Sequence, residues 1–166
     1  MKKVLIVIAP KDFKDKEFYD PYNILKKAGL EITITSLENK AVSVNGQEEE
    51  VDILIKEAKT DYEAIILIGG PGAVVYINNL ILHKLINKFN KEEKIIAAIC
   101  IAPAILAKAG VLKNKKATIY PGKKDLLENL NIEYIKKSVV IDKNIITADG
   151  PASAKKFGKE IIKNLF

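Results

Sequence analysis

Continuous runs of apolar residues recur along this chain, and segments with helical spacing separate them. The clearest runs are KVLIVIA (residues 3–9), EAIILI (63–68) and KIIAAIC (94–100). An apolar run without polar alternation is typical of a strand covered on both faces, as in a parallel sheet. Parallel strands also need long crossover connections, which the intervening helices can supply. The pattern therefore predicts a doubly wound α/β sandwich of three layers around a mostly parallel central sheet.

Periodicity also locates the other elements. Helical spacing predicts helices over residues 17–30, 51–59, 73–93, 101–110, 123–130 and 151–166. Shorter extended segments are predicted over residues 31–37, 40–47 (with a turn at Asn45-Gly46), 116–120, 132–136, 138–144 and 145–149. No repeat or long linker interrupts this alternation, so residues 1–166 are predicted to form one domain.

Composition narrows the classes of function. The net charge of +6 comes from lysine pairs scattered among acidic residues, which favours solvated faces over a nucleic-acid site. One cysteine and one histidine (His83, predicted to face solvent) exclude an internal disulfide and a His/Cys zinc cluster, and we expect no metal and no cofactor. No segment has the length of a membrane span, and the apolar run after Met1 lacks a signal-peptide cleavage site. We therefore expect a cytoplasmic protein that binds neither nucleic acid nor membranes.

Two breaks in the pattern fall at the carboxyl ends of predicted strands, where ligands bind in doubly wound folds. The first is Gly69-Gly70-Pro71-Gly72. It is not a dinucleotide-binding fingerprint, because Val75 occupies the third glycine position, and the chain has no GK[ST] sequence of a P-loop. Two interpretations stay open: a tight turn only, or a turn whose backbone N–H groups stabilise a developing oxyanion.

The second break is Cys100, between a predicted strand and a predicted helix. A free cysteine is most often a small buried apolar residue. Its place at a strand-to-helix junction instead suggests a nucleophile elbow, and the start of the helix would favour thiolate over thiol. The backbone N–H of Ile101 and the glycine turn are candidate oxyanion donors. No histidine lies beside Cys100 in the sequence, so a carboxylate or a tyrosine would have to move the proton.

Three segments resemble the ThiJ/PfpI superfamily: DYEAIILIGGPGA, IIAAICIAPAILAKAGVLKNKKATIYPG and VVIDKNIITADGPASAKKFGKEII. The resemblance extends almost from end to end. It implies a flavodoxin-like fold of the class I glutamine amidotransferase type. Because members of this superfamily are commonly dimers or larger, it also implies a homodimer or higher homo-oligomer.

The resemblance further implies roles for individual residues. Cys100 falls on the reactive cysteine of the family, and Glu17 falls on the glutamate that hydrogen-bonds its thiol. Gly70 and Ile101 match the positions whose backbone N–H groups form the oxyanion pocket. The remaining pocket positions are Gly69, Tyr120 and Pro121.

This sequence departs from the family pattern at four positions. Ile101 stands where the protease branch has a histidine directly after the cysteine, which disfavours a Cys-His peptidase. Lys14 stands where many relatives carry a glutamate, Ile68 replaces a proline and Asp149 replaces an arginine. The charge of the pocket in this chain therefore cannot be inferred from that of a characterised relative.

Several functions stay open on this evidence. The preferred hypothesis is a glyoxalase or deglycase that acts through Cys100 and Glu17 on methylglyoxal-type aldehydes or on their protein adducts, with a small aldehyde or a glycated protein as substrate. A redox sensor or chaperone would instead oxidise Cys100 to a sulfinate. An intracellular peptidase or amidase ranks third, and an inert thiol is the remaining alternative.

Overall fold

The computed structural model describes all 166 residues. Its twelve strands are β1 (Lys3–Val7), β2 (Lys11–Phe13), β3 (Glu31–Ser36), β4 (Lys40–Ser43), β5 (Glu48–Glu50), β6 (Ile53–Leu54), β7 (Ala64–Leu67), β8 (Ile95–Ile99), β9 (Lys116–Ala117), β10 (Glu133–Tyr134), β11 (Val139–Asp142) and β12 (Ile145–Ala148). Its four α-helices are α1 (Asp15–Lys27), α2 (Leu80–Lys91), α3 (Pro103–Lys108) and α4 (Ala154–Leu165). None of these helices has the length and apolar composition needed to cross a membrane.

Seven strands form the central sheet in the order β11-β12-β8-β7-β1-β3-β6. Every neighbouring pair is parallel except β11 and β12, which form an antiparallel hairpin at one edge. The five inner strands follow the flavodoxin-like order, in which the chain reverses its direction of growth after β3. The structure therefore confirms the predicted doubly wound α/β fold with a mostly parallel sheet.

Two apolar layers hold the helices against the sheet. Successive side chains of a strand point to opposite faces, and β1 is long enough to contribute to both layers. Leu5 and Val7 belong to the core beneath α2 and α3, whereas Val4 and Ile6 belong to the core beneath α1 and α4. Because all four are fully or almost fully buried, the continuous apolar run at the start of the chain reflects a strand covered on both sides.

Strand pairing brings the two sequence breaks together. In β7 and β8, Leu67 lies opposite Ala98 in parallel register. Two positions further along, Gly69 and Cys100 both lie just beyond the carboxyl ends of their strands. The glycine turn that begins at Gly69 therefore meets Cys100 directly.

Three of the predicted helices are wrong in extent or type, and two of these come before β8. Residues 51–59 form strand β6 and a 3₁₀ turn (Ile55–Glu57) in place of a helix, because β6 pairs with β3 at the edge of the sheet. The helix predicted over residues 73–93 is divided. A 3₁₀ segment covers Pro71–Tyr76, and α2 begins only after Asn79, whose side-chain oxygen caps its first turn.

The region before the final hairpin also differs from the prediction. Residues 123–130 do not form an α-helix: a 3₁₀ segment covers Pro121–Leu127, and Lys123 interrupts it with non-helical dihedral angles. The strands predicted over residues 116–120 and 132–136 shorten to the two-residue strands β9 and β10, which pair in parallel as a separate small sheet.

A three-stranded sheet of β2, β4 and β5 supports the start of α1. The Ser43 hydroxyl donates to Asp15 Oδ1 at 2.5 Å, and the Asn45 N–H donates to Asp15 Oδ2 at 3.3 Å. The first turn of α1 is thereby fixed against the β4–β5 hairpin. Periodicity did not predict β2, a three-residue strand with a positive φ of 59° at its centre, Asp12.

Candidate active site

Cys100 occupies a sharp turn between β8 and α3. Its φ is +64°, a left-handed conformation that costs a non-glycine residue on the order of 1–3 kcal/mol. Two backbone hydrogen bonds hold the turn: Cys100 N–H donates to Ala148 O at 3.0 Å, and Tyr120 N–H donates to Cys100 O at 2.9 Å. The side chain is half-buried. The predicted nucleophile elbow is present, and hydrogen bonds to the end of β12 and to the loop at Tyr120 keep the strained backbone in place.

Glu17 lies in the first turn of α1, and none of its surface is exposed. Its Oε2 accepts a hydrogen bond from the Gly69 N–H at 3.0 Å. Its Oε1 is buried and makes no hydrogen bond of standard geometry. The carboxyl is nevertheless close enough to Cys100 for a thiol–carboxyl hydrogen bond to contribute to the pKa of both groups. A buried carboxyl with a free oxygen beside a thiol is therefore the central feature of the site.

The glycine turn leaves room for this contact. A Cβ at Gly69 would lie 2.6 Å from Glu17 Oε2 and 2.8 Å from Cys100 Cβ, closer than real side chains approach. Gly70 has a φ of +103°, and a Cβ there would lie 2.6 Å from the backbone nitrogen of Lys14. Only glycine at both positions allows the loop before α1 to pack against the elbow.

Burial and mutual charge shift the ionisation of the pair. Burial raises the pKa of Glu17 from 4.5 to about 7, although hydrogen bonds with Cys100 and Gly69 and the charge of Lys14 oppose this rise. The pKa of Cys100 is raised from 9.0 to about 12. Burial is the largest cause, followed by the charge of Glu17 and the hydrogen bond to Glu17. The neutral thiol thus favours the Glu17 carboxylate, whereas that carboxylate disfavours the Cys100 thiolate, so the two groups titrate as a coupled pair.

The expected lowering of the thiol pKa by the helix start is therefore wrong in direction while Glu17 is ionised. The backbone N–H groups of Ile101 and Gly70 do lower the pKa of Cys100, but burial and the neighbouring carboxylate outweigh them. Helix α3 has only six residues, which limits its dipole. The two N–H groups that act on the sulfur are the pair expected to stabilise an oxyanion.

A cavity of about 490 Å³ opens over the elbow. Five of the residues singled out from the sequence line it: Cys100, Glu17, Gly70, Ile101 and Tyr120. Gly69 and Pro121 do not line the cavity. The Gly69 N–H instead donates a hydrogen bond to the Glu17 carboxyl. Pro121 is exposed at the start of the 3₁₀ segment that follows Tyr120.

Five further residues line the cavity: Lys14, Pro71, Val74, Lys123 and Pro151. Lys14 is one of the four positions at which the sequence departs from the family pattern. Lys123 lies in a segment whose predicted helix does not form, so its position over the cavity could not be inferred from helical spacing.

The other notable sequence positions lie outside the cavity. Ile68 is buried in the core. Asp149 accepts a hydrogen bond from the Ser153 hydroxyl at 2.5 Å just before α4. His83 is half-buried, contrary to the predicted solvent-facing position, because its Nε2 hydrogen-bonds Ile77 O at 2.8 Å. No histidine lines the cavity.

Comparison with known proteins places this elbow in a family. A sequence profile described as the DJ-1/PfpI family matches residues 2–164. This chain belongs to the DJ-1/PfpI family. It is 39% identical to an uncharacterised protein of Methanocaldococcus jannaschii, over 97% of this chain and 81% of that protein. It is 33% identical to a deglycase of Pyrococcus horikoshii, over 98% of this chain and 99% of that protein.

Solved structures of DJ-1/PfpI proteins share the whole fold. The ThiJ/PfpI domain protein of Brachyspira murdochii superposes with a TM-score of 0.95 at 25% identity, over 98% of this chain and 95% of that chain. DJ-1β of Drosophila melanogaster superposes with a TM-score of 0.91 at 31% identity, over 99% of this chain and 90% of that chain. The similarity covers every element that builds the elbow and the cavity.

Proposed function

We propose that this DJ-1/PfpI protein converts methylglyoxal-type α-oxoaldehydes, free or as adducts on proteins, with Cys100 as nucleophile and Glu17 as proton shuttle. One observation carries the proposal: a fully buried carboxyl, one oxygen of which makes no hydrogen bond of standard geometry, lies beside the elbow thiol. A pKa near 7 suits a group that must both accept and donate a proton at neutral pH. A relative in Pyrococcus horikoshii and another in Pyrococcus furiosus, 32% identical, are both named deglycases, which supports action on protein adducts.

The first step is addition of the thiol to the aldehyde carbon. The sulfur–carbon bond forms as the carbonyl π electrons move to oxygen, and the thiol proton completes a hemithioacetal. The backbone N–H groups of Gly70 and Ile101 face the sulfur and are the donors for the oxygen that gains charge.

Glu17 then moves a proton between adjacent carbons. Its carboxylate removes the proton from the former aldehyde carbon and returns it to the former ketone carbon, so that the first carbon is oxidised and the second reduced. The product on Cys100 is a thioester, and water releases it as a 2-hydroxy acid. Methylglyoxal plus water thus gives lactic acid without an external oxidant. For a protein adduct, the thiol would displace the modified side chain from the former aldehyde carbon: the sulfur–carbon bond forms, the bond from that carbon to the side chain breaks, and the side chain leaves with the thiol proton. The same proton transfer and hydrolysis would then release the hydroxy acid.

Lactate formation from methylglyoxal tests this proposal. We expect Cys100→Ala to abolish turnover and Glu17→Gln to lower it by about 100-fold or more, the usual contribution of a general acid–base group. Glu38→Gln is a matched control, because Glu38 is exposed and does not line the cavity. Turnover by Cys100→Ala or Glu17→Gln at the wild-type rate would eliminate the mechanism.

A second function, redox sensing, is favoured by the surroundings of the sulfur. Two backbone N–H groups and a carboxyl with a raised pKa can all donate to a sulfinate. Oxidation would consume two equivalents of peroxide, forming two sulfur–oxygen bonds and two molecules of water. Mass spectrometry after mild peroxide treatment tests it: a Cys100 that gains no oxygen while a control thiol does would exclude this role.

Peptidase or amidase activity is the least favoured function. A Cys-His nucleophile needs an imidazole within hydrogen-bond reach of the sulfur, whereas Ile101 follows the cysteine and His83 is bound to Ile77 O on another element. We expect no Cys100-dependent cleavage of casein or of amide substrates.

A further inference from the structure

We infer that Lys14 and Lys123 select substrates that carry a negative charge, so that the preferred α-oxoaldehyde has an anionic group on the carbon chain beyond its reacting carbonyls. This inference rests on the proposed function and names its substrate class. Both lysines line the cavity over Cys100. The only acidic residue that lines it is Glu17, which is buried behind the thiol.

Lys14 is anchored at the elbow by its backbone. Its N–H donates to Gly69 O at 3.1 Å, one residue from the oxyanion donor Gly70. Its side chain is half-buried and belongs to none of the ion pairs of the chain. The adjacent carboxylate, Asp15, is engaged by Ser43 and the backbone at residue 45. The Lys14 ammonium group thus forms no ion pair at the cavity, and the acidic group on which its charge acts there is Glu17.

Lys123 reaches the same cavity from a different loop. Its N–H donates to Tyr120 O at 2.8 Å, and Tyr120 N–H donates to the carbonyl of Cys100 itself at 2.9 Å. Lys123 is exposed and likewise belongs to no ion pair. Two short backbone connections therefore hold two lysines that form no ion pair next to one thiol.

The same cavity has an apolar part, which includes Val74, Pro71 and Pro151. A short carbon chain can pack there while a carboxylate at its end meets the lysines. Methylglyoxal itself has no charged group and would use neither cation. A compound such as 4,5-dioxovalerate, an α-oxoaldehyde with a carboxylate two methylene groups away, has the required chemistry, and 2-oxopentanal is its uncharged counterpart of equal chain length.

Alkylation of the single thiol tests the charge selectivity without any need for turnover. Iodoacetate and iodoacetamide form the same sulfur–carbon bond and release iodide, but only iodoacetate is an anion. Both reagents react with the thiolate of Cys100, so each rate is proportional to the fraction of Cys100 that is ionised. The ratio of the iodoacetate rate to the iodoacetamide rate is therefore independent of that fraction. We expect this ratio to be higher at Cys100 than at a free thiol. Lys14→Met and Lys123→Met should each lower it by about threefold or more, the effect of one unit charge several ångströms away at a hydrated site.

Controls separate a local site from the overall charge. Lys91→Met removes one exposed lysine at the end of α2, next to the amino end of β8 and so at the opposite edge of the sheet from Cys100. It should leave the ratio unchanged, and Lys14→Arg and Lys123→Arg should preserve it. A ratio that equals the free-thiol value, or that falls equally in Lys91→Met, overturns the inference.

Turnover separates this inference from the proposed function. We expect a higher kcat/KM for 4,5-dioxovalerate than for 2-oxopentanal, and loss of that preference in the Lys14→Met, Lys123→Met double variant. Absence of turnover with a lysine-dependent alkylation ratio would refute the proposed activity and support the anion site. Equal kcat/KM for the two aldehydes would refute the substrate class while leaving the activity itself in place.

Discussion

Replacing Gly69 by alanine would insert a methyl group into the contact between Glu17 and Cys100. The added Cβ would lie 2.6 Å from Glu17 Oε2, 2.7 Å from Ile99 O and 2.8 Å from Cys100 Cβ. Two of these neighbours belong to the elbow and its strand, so the carboxyl is the group most able to move. Overpacking of a filled interior costs about 1–3 kcal/mol. Loss of the hydrogen bond from Gly69 to a charged group costs about 1.5–3 kcal/mol.

We therefore expect Gly69→Ala to lower the free energy of unfolding by about 2–5 kcal/mol, because the two costs partly replace each other. Urea denaturation would measure the loss, and the pH profile of Cys100 alkylation would report displacement of the carboxyl. Gly29→Ala is the control: it has no neighbour within 4 Å and a φ of +83°, so it should cost about 1 kcal/mol and leave the alkylation profile unchanged. A Gly69→Ala protein within about 0.5 kcal/mol of wild type, with an unchanged profile, would refute the reasoning.

Two further predictions concern buried polar groups. Since folding raises the pKa of Glu17 from 4.5 to about 7, its contribution to stability is fully present below pH 4.5 and is lost as the pH rises to about 7. Across that window the free energy of unfolding of the wild type should fall by roughly 3 kcal/mol relative to that of Glu17→Gln. Urea titrations at several pH values would measure both, and a difference between the two proteins that stays constant with pH would contradict this. Tyr76→Phe removes the hydroxyl that donates to Ile8 O at 2.8 Å in the core; we expect a loss of about 1–3 kcal/mol in the same assay, and an unchanged stability would contradict it.

The sequence predicted the central sheet well because its strands are buried on both faces. An apolar run as short and as rich in valine and isoleucine as residues 3–9 favours an inner strand, and the parallel pairing of β7 with β8 then places Gly69 beside Cys100. Hydrophobic spacing gave wrong predictions at the edge of the sheet. Residues 51–59 have helical spacing, yet pairing of β6 with β3 outweighs it. Propensity cannot anticipate an edge pairing that depends on tertiary contact.

The site shows the same division. Cys100 and its oxyanion donors can be predicted from the strand-to-helix junction. Glu17 can be assigned only through the family resemblance, because it is 83 residues from Cys100 in the chain and nothing in its local sequence indicates that the two side chains meet. The direction of the thiol pKa could not be predicted, because it depends on burial and on the distance between two ionisable groups. Lys123 over the cavity was missed because its loop has no periodic pattern.

The most direct test of the account is the pH dependence of iodoacetamide alkylation of Cys100 in wild type and in Glu17→Gln. If the two groups are coupled, the wild-type rate should rise in two steps, one near pH 7 as the pair loses its first proton and one near pH 12 as it loses its second. Glu17→Gln removes the charge that opposes the thiolate. Its profile should show a single step with a midpoint below the upper wild-type step. Identical profiles for the two proteins, or a midpoint in Glu17→Gln above the upper wild-type step, would contradict the coupling on which the proposed chemistry depends.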